Sequence, residues 1–348
     1  SCWWAVEARP LTCHLRDKMK LIPSIVIFLA HPQVLVERAF FVMGTILEFR
    51  LYCNDKEVCD KAILEAYSEV KRLDDIFSNY KNNSVLSRVN SFAGDGRISV
   101  PPEFIELTSR AIFFSGLTDG AFDITVGKAN EIWRVSEEKN LMPNHDEIES
   151  AQDCIGFGKL DLYPQEKQIE LKSPCLSLDF GGIGKGYALD RAVKILRLHG
   201  IKRGIVKFGG NIYAMKPSPG EDGWDVGIRH PRDEDEVLTI LKVEDLAVST
   251  SGDYERYFEV NGRRFSHIID PRDGLPVEFV PSVTVIANNG TDADALSTAL
   301  SVMKPDKAIK FIECLKDVGV MIVREEKGKL SIYRNPSFSK LEVLKTIN

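Results

Sequence analysis

A glycine-rich stretch with a single lysine has the composition of a phosphate-binding loop. The segment "LDFGGIGKGYALD", residues 178–190, places four glycines around Lys185, between a predicted strand and a predicted helix. Glycines let backbone N–H groups approach a phosphate closely, a helix N-terminus favours anions, and a lysine adds positive charge. The segment lacks the Walker ending and the dinucleotide spacing, so a tight structural turn explains it equally well. Asp179 and Asp190 flank it, and capping or ion pairing would explain both.

A second segment could hold a divalent cation. In "GTDADALSTAL", residues 290–300, Asp294 and Thr298 are four residues apart and share one face of a predicted helix. A carboxylate and a hydroxyl are hard oxygen ligands of the kind that Mg²⁺ accepts, with waters and a substrate phosphate in the remaining positions. The alternative makes Asp292 or Asp294 a helix cap and Thr298 an ordinary hydroxyl.

A third segment could supply a general base. In "SHIIDPRDGLP", residues 266–276, one of six histidines follows a predicted strand and precedes a rigid corner. A neutral imidazole suits proton transfer near pH 7, and Asp270 is close enough in sequence to orient His267. A histidine in the hydrophobic core is the alternative.

Two further segments could contact a ligand. "GAFDITVG", residues 120–127, puts Phe122 beside Asp123, which would suit either a ring system or the start of a strand. "VSTSGDYERYF", residues 248–258, is rich in small hydroxyl residues, as are many ordinary turns. Taken together, an anion loop, a cation site and a base predict phosphoryl or nucleotidyl transfer with Mg²⁺.

The elements that must position these residues alternate between helical and strand periods. Residues 55–77 place apolar side chains from Val58 to Phe77 on one helical face, and Asn54 or Asp55 can cap that helix. Further helices are predicted over residues 101–120, 187–200, 294–304 and 306–316. Strands are predicted at "GTILEFRLY", "RGIVKFGGNIYAM", "WDVGIRH", "SVTVIA" and "VGVMIV", the last forming a hairpin through Lys327-Gly328. The fold class is therefore α+β, a mixed body forming one catalytic unit.

Composition excludes some functions and partners. The chain has 348 residues and a net charge of -6, which argues against nucleic acid as a partner. Its seven cysteines show no CxxC spacing, so we expect reduced side chains, no zinc site and no disulfide framework, although Cys53 and Cys59 are close in sequence.

The first 36 residues differ from the rest. "MKLIPSIVIFLA", starting at Met19, has a basic start and an apolar run of the length of a signal sequence. Residues 1–36 are therefore interpreted as a signal peptide or membrane-targeting region, with a buried strand or helix as the alternative. Residues 37–345 form the catalytic domain, and we expect an extracytoplasmic location, periplasmic or membrane-associated, with a cytoplasmic one as the alternative.

The order of these motifs resembles that of a known family. From about Phe40 to beyond Val323, the chain is similar to ApbE-type FAD:protein FMN transferases. The similarity rests on ordered motifs along nearly the whole domain: "MGT", "SNYKNNSVLSRVN", "GAFDITVG", "LDFGGIGKGYALD", "FGGNIY", "STSGDYERYF", "SHIIDPRDGLP" and "DADALSTAL". The resemblance implies a mixed α+β fold related to the tunnelling-fold group.

The resemblance also implies an activity. Such enzymes bind FAD with Mg²⁺, cleave its pyrophosphate, release AMP and attach FMN to a threonine or serine of an acceptor protein. It implies acceptors among the subunits of sodium-pumping NADH:quinone reductase or Rnf-type complexes, and possible association with a membrane.

Residue roles follow from the matching positions. The resemblance makes His267 the base, Lys185 a catalytic and FAD-binding cation, and the Gly184 carbonyl, Asp294 and Thr298 the metal ligands. Positions matching FAD-contacting residues are Met43, Tyr80, Ala121, Phe122, Asp123, Asp179, Lys185 and Ile268.

Two alternatives remain open. A Mg²⁺-dependent FAD pyrophosphatase would use the same site with water as the nucleophile, and the aromatic residue Tyr80, rather than asparagine, favours the transferase. A non-catalytic flavin-binding protein is the other alternative, and the presence of His267, Asp294 and Thr298 argues against it.

Overall fold

The computed structural model describes residues 33–233, 235–252, 257–277, 281–326 and 329–345. The predicted signal segment, apart from its last residues, and the predicted turn at Lys327-Gly328 lie outside the described residues. The helices are α1 (Lys56–Phe77), α2 (Val85–Ser91), α3 (Pro102–Leu117), α4 (Gly127–Lys139), α5 (His145–Asp153), α6 (Gly184–Leu198), α7 (Gly290–Val302), α8 (Pro305–Glu313) and α9 (Pro336–Ser339).

Helix α1, the longest of the described helices, has the cap and the buried apolar face that its sequence predicts. The side chain of Asp55 caps α1 by accepting hydrogen bonds from the backbone N–H groups of Glu57 and Val58. From Cys59 to Phe77, the apolar positions at helical spacing are buried. Val58 was predicted to belong to this face, but it is 46% exposed because it lies in the first turn, on the solvent side. Among the described residues, no helix is both long and apolar enough to span a membrane.

In the part of the chain that the structure describes, sixteen strands form the sheets, and all the predicted strands are present. They are β1 (Val34–Val42), β2 (Thr45–Cys53), β3 (Arg97–Ser99), β4 (Leu160–Tyr163), β5 (Gln168–Leu171), β6 (Arg203–Phe208), β7 (Asn211–Ala214), β8 (Trp224–Arg229), β9 (Val237–Val243), β10 (Leu246–Gly252), β11 (Tyr257–Val260), β12 (Arg263–Ser266), β13 (Ser282–Ala287), β14 (Gly319–Glu326), β15 (Lys329–Arg334) and β16 (Glu342–Lys345).

The main sheet has eight antiparallel strands in the order β1-β2-β6-β7-β10-β13-β14-β15. Its two faces pack into two different hydrophobic cores, because successive side chains of a strand point to opposite faces of the sheet. In β14, Val320 and Ile322 pack with helices α1, α6 and α7, whereas Met321 and Val323 pack with the smaller sheet β16-β9-β8. The predicted α+β class is confirmed.

The prediction of no disulfides was wrong. Cys53, at the end of β2, is bonded to Cys59 in α1, with Cα atoms 6.1 Å apart. Cys154, at the end of α5, is bonded to Cys175 after β5, with Cα atoms 5.3 Å apart. Sequence spacing gave no sign of the second pair because only the fold brings those two segments together. Among the described residues Cys314 is a free, exposed cysteine.

Removing each disulfide should destabilise the protein according to the length of the loop that it closes. The Cys154–Cys175 bond spans 21 residues and the Cys53–Cys59 bond spans 6. Chain-entropy arguments give a loss of about 3 kcal/mol for the long loop and about 2 kcal/mol for the short one. Denaturation of the two double cysteine-to-alanine variants measures both losses, and a smaller loss for the 21-residue loop would contradict the prediction.

Candidate functional site

One cavity of about 1200 Å³ brings the predicted site together. Its wall is formed by the β1–β2 turn, the end of α1, the segment before α4, the glycine loop, the end of β10, the segment after β12, and α7. Every predicted site residue lines it: Met43, Tyr80, Ala121, Phe122, Asp123, Asp179, Gly184, Lys185, His267, Ile268, Asp294 and Thr298. The roles assigned to these residues from the sequence stay predictions, but their proximity is a feature of the fold.

The glycine loop is held by side chains on its inner side. Asp179 accepts hydrogen bonds from the N–H of Gly181 at 2.7 Å and from the amide of Asn130 at 2.9 Å. Lys185, in the first turn of α6, donates to the Gly181 carbonyl at 3.2 Å. Sequence reasoning missed Asn130, because α4 is distant in sequence from the loop that it supports.

Three N–H groups of the glycine loop, which were predicted to bind a phosphate, donate to groups of the protein instead. The Gly181 N–H donates to Asp179, and the Gly184 N–H donates to the Phe180 carbonyl at 2.7 Å. The Gly186 N–H donates to Asp294 Oδ2 at 2.9 Å. These three N–H groups therefore stabilise the loop itself, and Lys185 is the clearest positive group that the loop presents to an anion.

Packing requires two of the glycines. A Cβ atom on Gly186 would lie 2.1 Å from the Gly290 carbonyl oxygen, and one on Gly182 would lie 3.0 Å from the Thr298 side chain. Asp190 strengthens the same contact, because its carboxylate accepts hydrogen bonds from the N–H groups of Gly290 at 2.6 Å and Thr291 at 2.9 Å. These contacts hold helices α6 and α7 together.

Burial raises the pKa of the Asp190 carboxyl, while the hydrogen bonds from Thr291 and Gly290 oppose that rise. Asp190 therefore acts as a capping residue at the start of α7, one of the two alternatives for it. The predicted capping by Asp292 or Asp294 is replaced by Asn289, whose side chain accepts from the Asp292 N–H.

The two predicted metal ligands, Asp294 and Thr298, lie on one face of α7, as the spacing predicts. Asp294 is 4% exposed, and the Thr298 hydroxyl donates to the Gly182 carbonyl at 3.3 Å. Asp292, in contrast, forms an ion pair with Arg110 at 2.6 Å. No cluster of three or more His, Cys, Asp or Glu side chains that could hold a metal occurs in the described part of the chain. One carboxylate with neutral oxygens fits a hard cation such as Mg²⁺ that keeps waters and phosphate oxygens.

His267 follows the last residue of β12 and lines the cavity beside Ile268. The Ile268 N–H donates to the Ser266 hydroxyl at 3.1 Å, and the Ile268 carbonyl accepts from Val277 at 2.9 Å. The hydrogen bond from Val277 therefore holds the backbone that directly follows the histidine in place.

The predicted corner after His267 is present, but its aspartate has another partner. The Asp270 carbonyl accepts from the Gly274 N–H at 2.9 Å, and Gly274 has a φ of 69°, a left-handed conformation that favours glycine. The Asp270 carboxylate binds the Arg272 guanidinium through hydrogen bonds of 2.7 and 2.6 Å. Asp270 thus stabilises the corner, and the prediction that it orients His267 is replaced by this ion pair.

Asp123 is buried at the cavity wall and joins two loops. Its carboxylate accepts hydrogen bonds from the Thr125 N–H and hydroxyl, at 2.8 and 2.7 Å, and from the Phe157 N–H at 2.9 Å. Burial raises the pKa of the Asp123 carboxyl, while these hydrogen bonds oppose the rise. Neighbouring Phe122 packs edge-on against Phe114, so this part of the wall is rigid.

Met43 occupies a strained turn position. Met43 and Gly44 join β1 to β2 with φ values of 50° and 70°, which describe a tight hairpin turn that favours Asn-Gly. A methionine in the left-handed region costs about 1 kcal/mol or more. The Met43 side chain lines the cavity, and its contact with FAD stays a prediction.

Met43→Asn should therefore raise the free energy of unfolding by about 1 kcal/mol and weaken FAD binding. Lys167, with a φ of 54°, lies in a turn that does not line the cavity. Lys167→Asn should give a similar gain in stability without changing FAD affinity. Urea denaturation and FAD titration measure both quantities, and weaker FAD binding by the Lys167 variant would remove the link to the cavity.

Comparison with known proteins agrees with this geometry. The family model described as "ApbE family" matches residues 43–322. A protein named "FAD:protein FMN transferase" from Treponema pallidum is 30% identical over 306 residues, which are 83% of this chain and 84% of the relative. A protein of the same name from Escherichia coli is 31% identical over 276 residues, 78% of each chain.

Solved structures show the same fold. The flavin transferase ApbE from Vibrio cholerae superposes with a TM-score of 0.79 at 27% identity, covering 89% of this chain and all of the other. The ApbE protein from Thermotoga maritima gives a TM-score of 0.81 at 33% identity, covering 89% and 99%. With a family model that matches most of the described residues and relatives aligned over more than three quarters of its length, this chain belongs to the ApbE family.

Proposed function

We propose that this protein is a Mg²⁺-dependent FAD:protein FMN transferase, which moves FMN from FAD to a serine or threonine hydroxyl and releases AMP. The names of its relatives support the reaction. The observation that carries the proposal is that the lysine, the histidine and the two α7 side chains line the same cavity. Its volume of about 1200 Å³ exceeds that of most small-molecule pockets, as a site for a dinucleotide and part of a polypeptide requires.

Asp294, Thr298 and the Gly184 carbonyl would hold the magnesium ion. A bound Mg²⁺ would neutralise charge on the pyrophosphate oxygens. Lys185 adds a second positive charge on the same side of the cavity, where negative charge develops as the pyrophosphate bond breaks. Met43, Tyr80, Ala121, Phe122, Asp123, Asp179 and Ile268 would form the walls around the FAD.

His267 would take the proton from the acceptor hydroxyl. The hydroxyl oxygen then forms a bond to the FMN-side phosphorus, and the bond from that phosphorus to the bridging oxygen breaks. The electron pair leaves with AMP, and the acceptor is left with FMN in a phosphoester. General-base help of this kind is typically worth about 10²–10⁴-fold in rate.

We further infer that the acceptor is a flavoprotein subunit of an NADH:quinone reductase or Rnf-type complex. We also infer that the enzyme works outside the cytoplasmic membrane and in association with it. The sequence from Met19 supports export. Two disulfides also support an oxidising compartment, because disulfides persist there and are rare in the cytosol.

The test is to incubate the protein with FAD, Mg²⁺ and a soluble acceptor domain of the NADH:quinone reductase subunit. Mass spectrometry of the acceptor should show the added mass of FMN, and the AMP released should equal the FMN attached. Free FMN with an unmodified acceptor would support an FAD pyrophosphatase instead. Intact FAD bound to the protein would support a flavin-binding protein.

A further inference from the structure

The hairpin of β1 and β2 exposes an apolar pair at the mouth of the cavity. Phe41 and Ile46 are direct cross-strand neighbours, and they are 74% and 50% exposed. Phe41 also lines the cavity. The adjacent residue Phe40 points to the opposite face, where it stacks on Tyr67 of α1 with ring centroids 4.2 Å apart. The core therefore uses Phe40 and leaves the pair of Phe41 and Ile46 on the outer face.

A shallow groove of about 480 Å³ lies on the hairpin beyond this pair. Ala39 and Glu48, which face each other across the strands, line the groove and are two residues away from Phe41 and Ile46 on the same face. Charged side chains that line the groove pair across the strands, Glu48 with Lys207 of β6 at 3.4 Å and, farther along the hairpin, Glu37 with Arg50 at 3.1 Å. The apolar pair thus lies between the cavity on one side and, on the other, a groove lined by both charged and apolar side chains, among them Ile205 of β6 and Ile212 of β7.

We propose that this hairpin surface, made of Phe41, Ile46 and the groove beside Ala39 and Glu48, docks the acceptor polypeptide. The proposal rests on the proposed transferase function, because that reaction must bring a hydroxyl on a polypeptide to His267. A chain that enters the cavity crosses its rim, and Phe41 belongs to both the rim and the outer surface. Exposed large apolar side chains beside a functional cavity are typical of a protein contact, with aromatic residues as its anchors.

The surface also indicates what kind of segment it accepts. Phe41 and Ile46 would contact apolar side chains close to the modified serine or threonine. The charged pairs in the groove would face polar residues farther along an extended segment, as at the polar rim of other interfaces. The specificity for the acceptor would then reside mainly in the hairpin, and the specificity for FAD in the cavity.

The experiment measures binding without transfer. The probe is a fluorescently labelled acceptor domain of the NADH:quinone reductase subunit whose modified residue is replaced by alanine. Ile46→Ser and Phe41→Ser should each raise its Kd about 5- to 10-fold. Leu198→Ser, at a residue of α6 that is 77% exposed and does not line the cavity, is the matched control and should leave the Kd unchanged.

FAD titration separates docking from flavin binding. Ile46 does not line the cavity, so Ile46→Ser should bind FAD as the wild type does, which also shows that the variant is folded. An acceptor Kd in both hairpin variants equal to that of the wild type would overturn the docking surface, as would a wild-type protein that does not bind the acceptor. If the wild type binds the acceptor but releases only free FMN, the proposed transfer fails, while the binding data still judge the docking surface.

Discussion

Replacing His267 by alanine is expected to lower the rate of FMN transfer about 10²–10⁴-fold while leaving FAD bound, because the variant loses the proposed general base and little of the cavity wall. The imidazole lies on a wall whose backbone is held by hydrogen bonds around Ile268 and the corner at Gly274. These backbone hydrogen bonds do not depend on the side chain at position 267, so they should remain in the variant. Transfer is measured as FMN-modified acceptor per minute, and FAD binding by titration.

His199 provides the matched control for this substitution. It follows α6 and contacts Glu65 at 2.8 Å, and it does not line the cavity. His199→Ala should therefore transfer FMN at the wild-type rate. A His267→Ala variant with near-normal transfer would remove His267 from the mechanism. Loss of both transfer and FAD binding would mean that the side chain holds the flavin instead.

The second large effect is expected for Asp294→Asn, which should lower transfer on the order of 10²–10³-fold and abolish most of its dependence on Mg²⁺. The asparagine oxygen can still accept the hydrogen bond from the Gly186 N–H, so α6 and α7 should remain packed. What the variant loses is the negative charge, the main electrostatic attraction for a divalent cation in this part of the cavity. Calorimetry with Mg²⁺ and FAD measures the loss of metal binding directly.

Asp292 is the control for the metal prediction. It lies on the same helix, but its carboxylate binds Arg110 and it does not line the cavity. Asp292→Asn should cost some stability through the lost ion pair and keep the Mg²⁺ dependence of the wild type. Equal Mg²⁺ affinity in the Asp294 variant and the wild type would show that the cation, if needed, is held elsewhere.

Local sequence patterns predicted most of the fold and part of the site. The apolar spacing in α1 and the four-residue interval between Asp294 and Thr298 each reflect the geometric period of a helix. Such periods depend on neighbouring residues alone, so the sequence specifies them directly. No single motif predicted that these residues would lie together. That prediction came from the order of the motifs, which resembles that of the ApbE family.

Predictions failed where the outcome depended on the path of a turn or on contacts between distant segments. Asp270 lies three residues from His267, yet its carboxylate binds Arg272, because the turn points the two side chains toward each other. Cys154 and Cys175 meet only after α5 and β5 have packed. The glycine-loop N–H groups were expected to face a phosphate, but one of them binds Asp294, which is 108 residues away.

The close contact between Gly186 and Gly290 limits which substitutions this enzyme can accept. Because a single added methyl group at Gly186 would overlap the Gly290 carbonyl, the helix that carries Lys185 and the helix that carries Asp294 cannot separate without losing their shared contact. This backbone contact therefore sets the separation of the two helices that carry Lys185 and Asp294. Variation in acceptor preference should therefore accumulate in the hairpin, whereas a side chain at Gly186 or Gly290 would force this helix contact to shift.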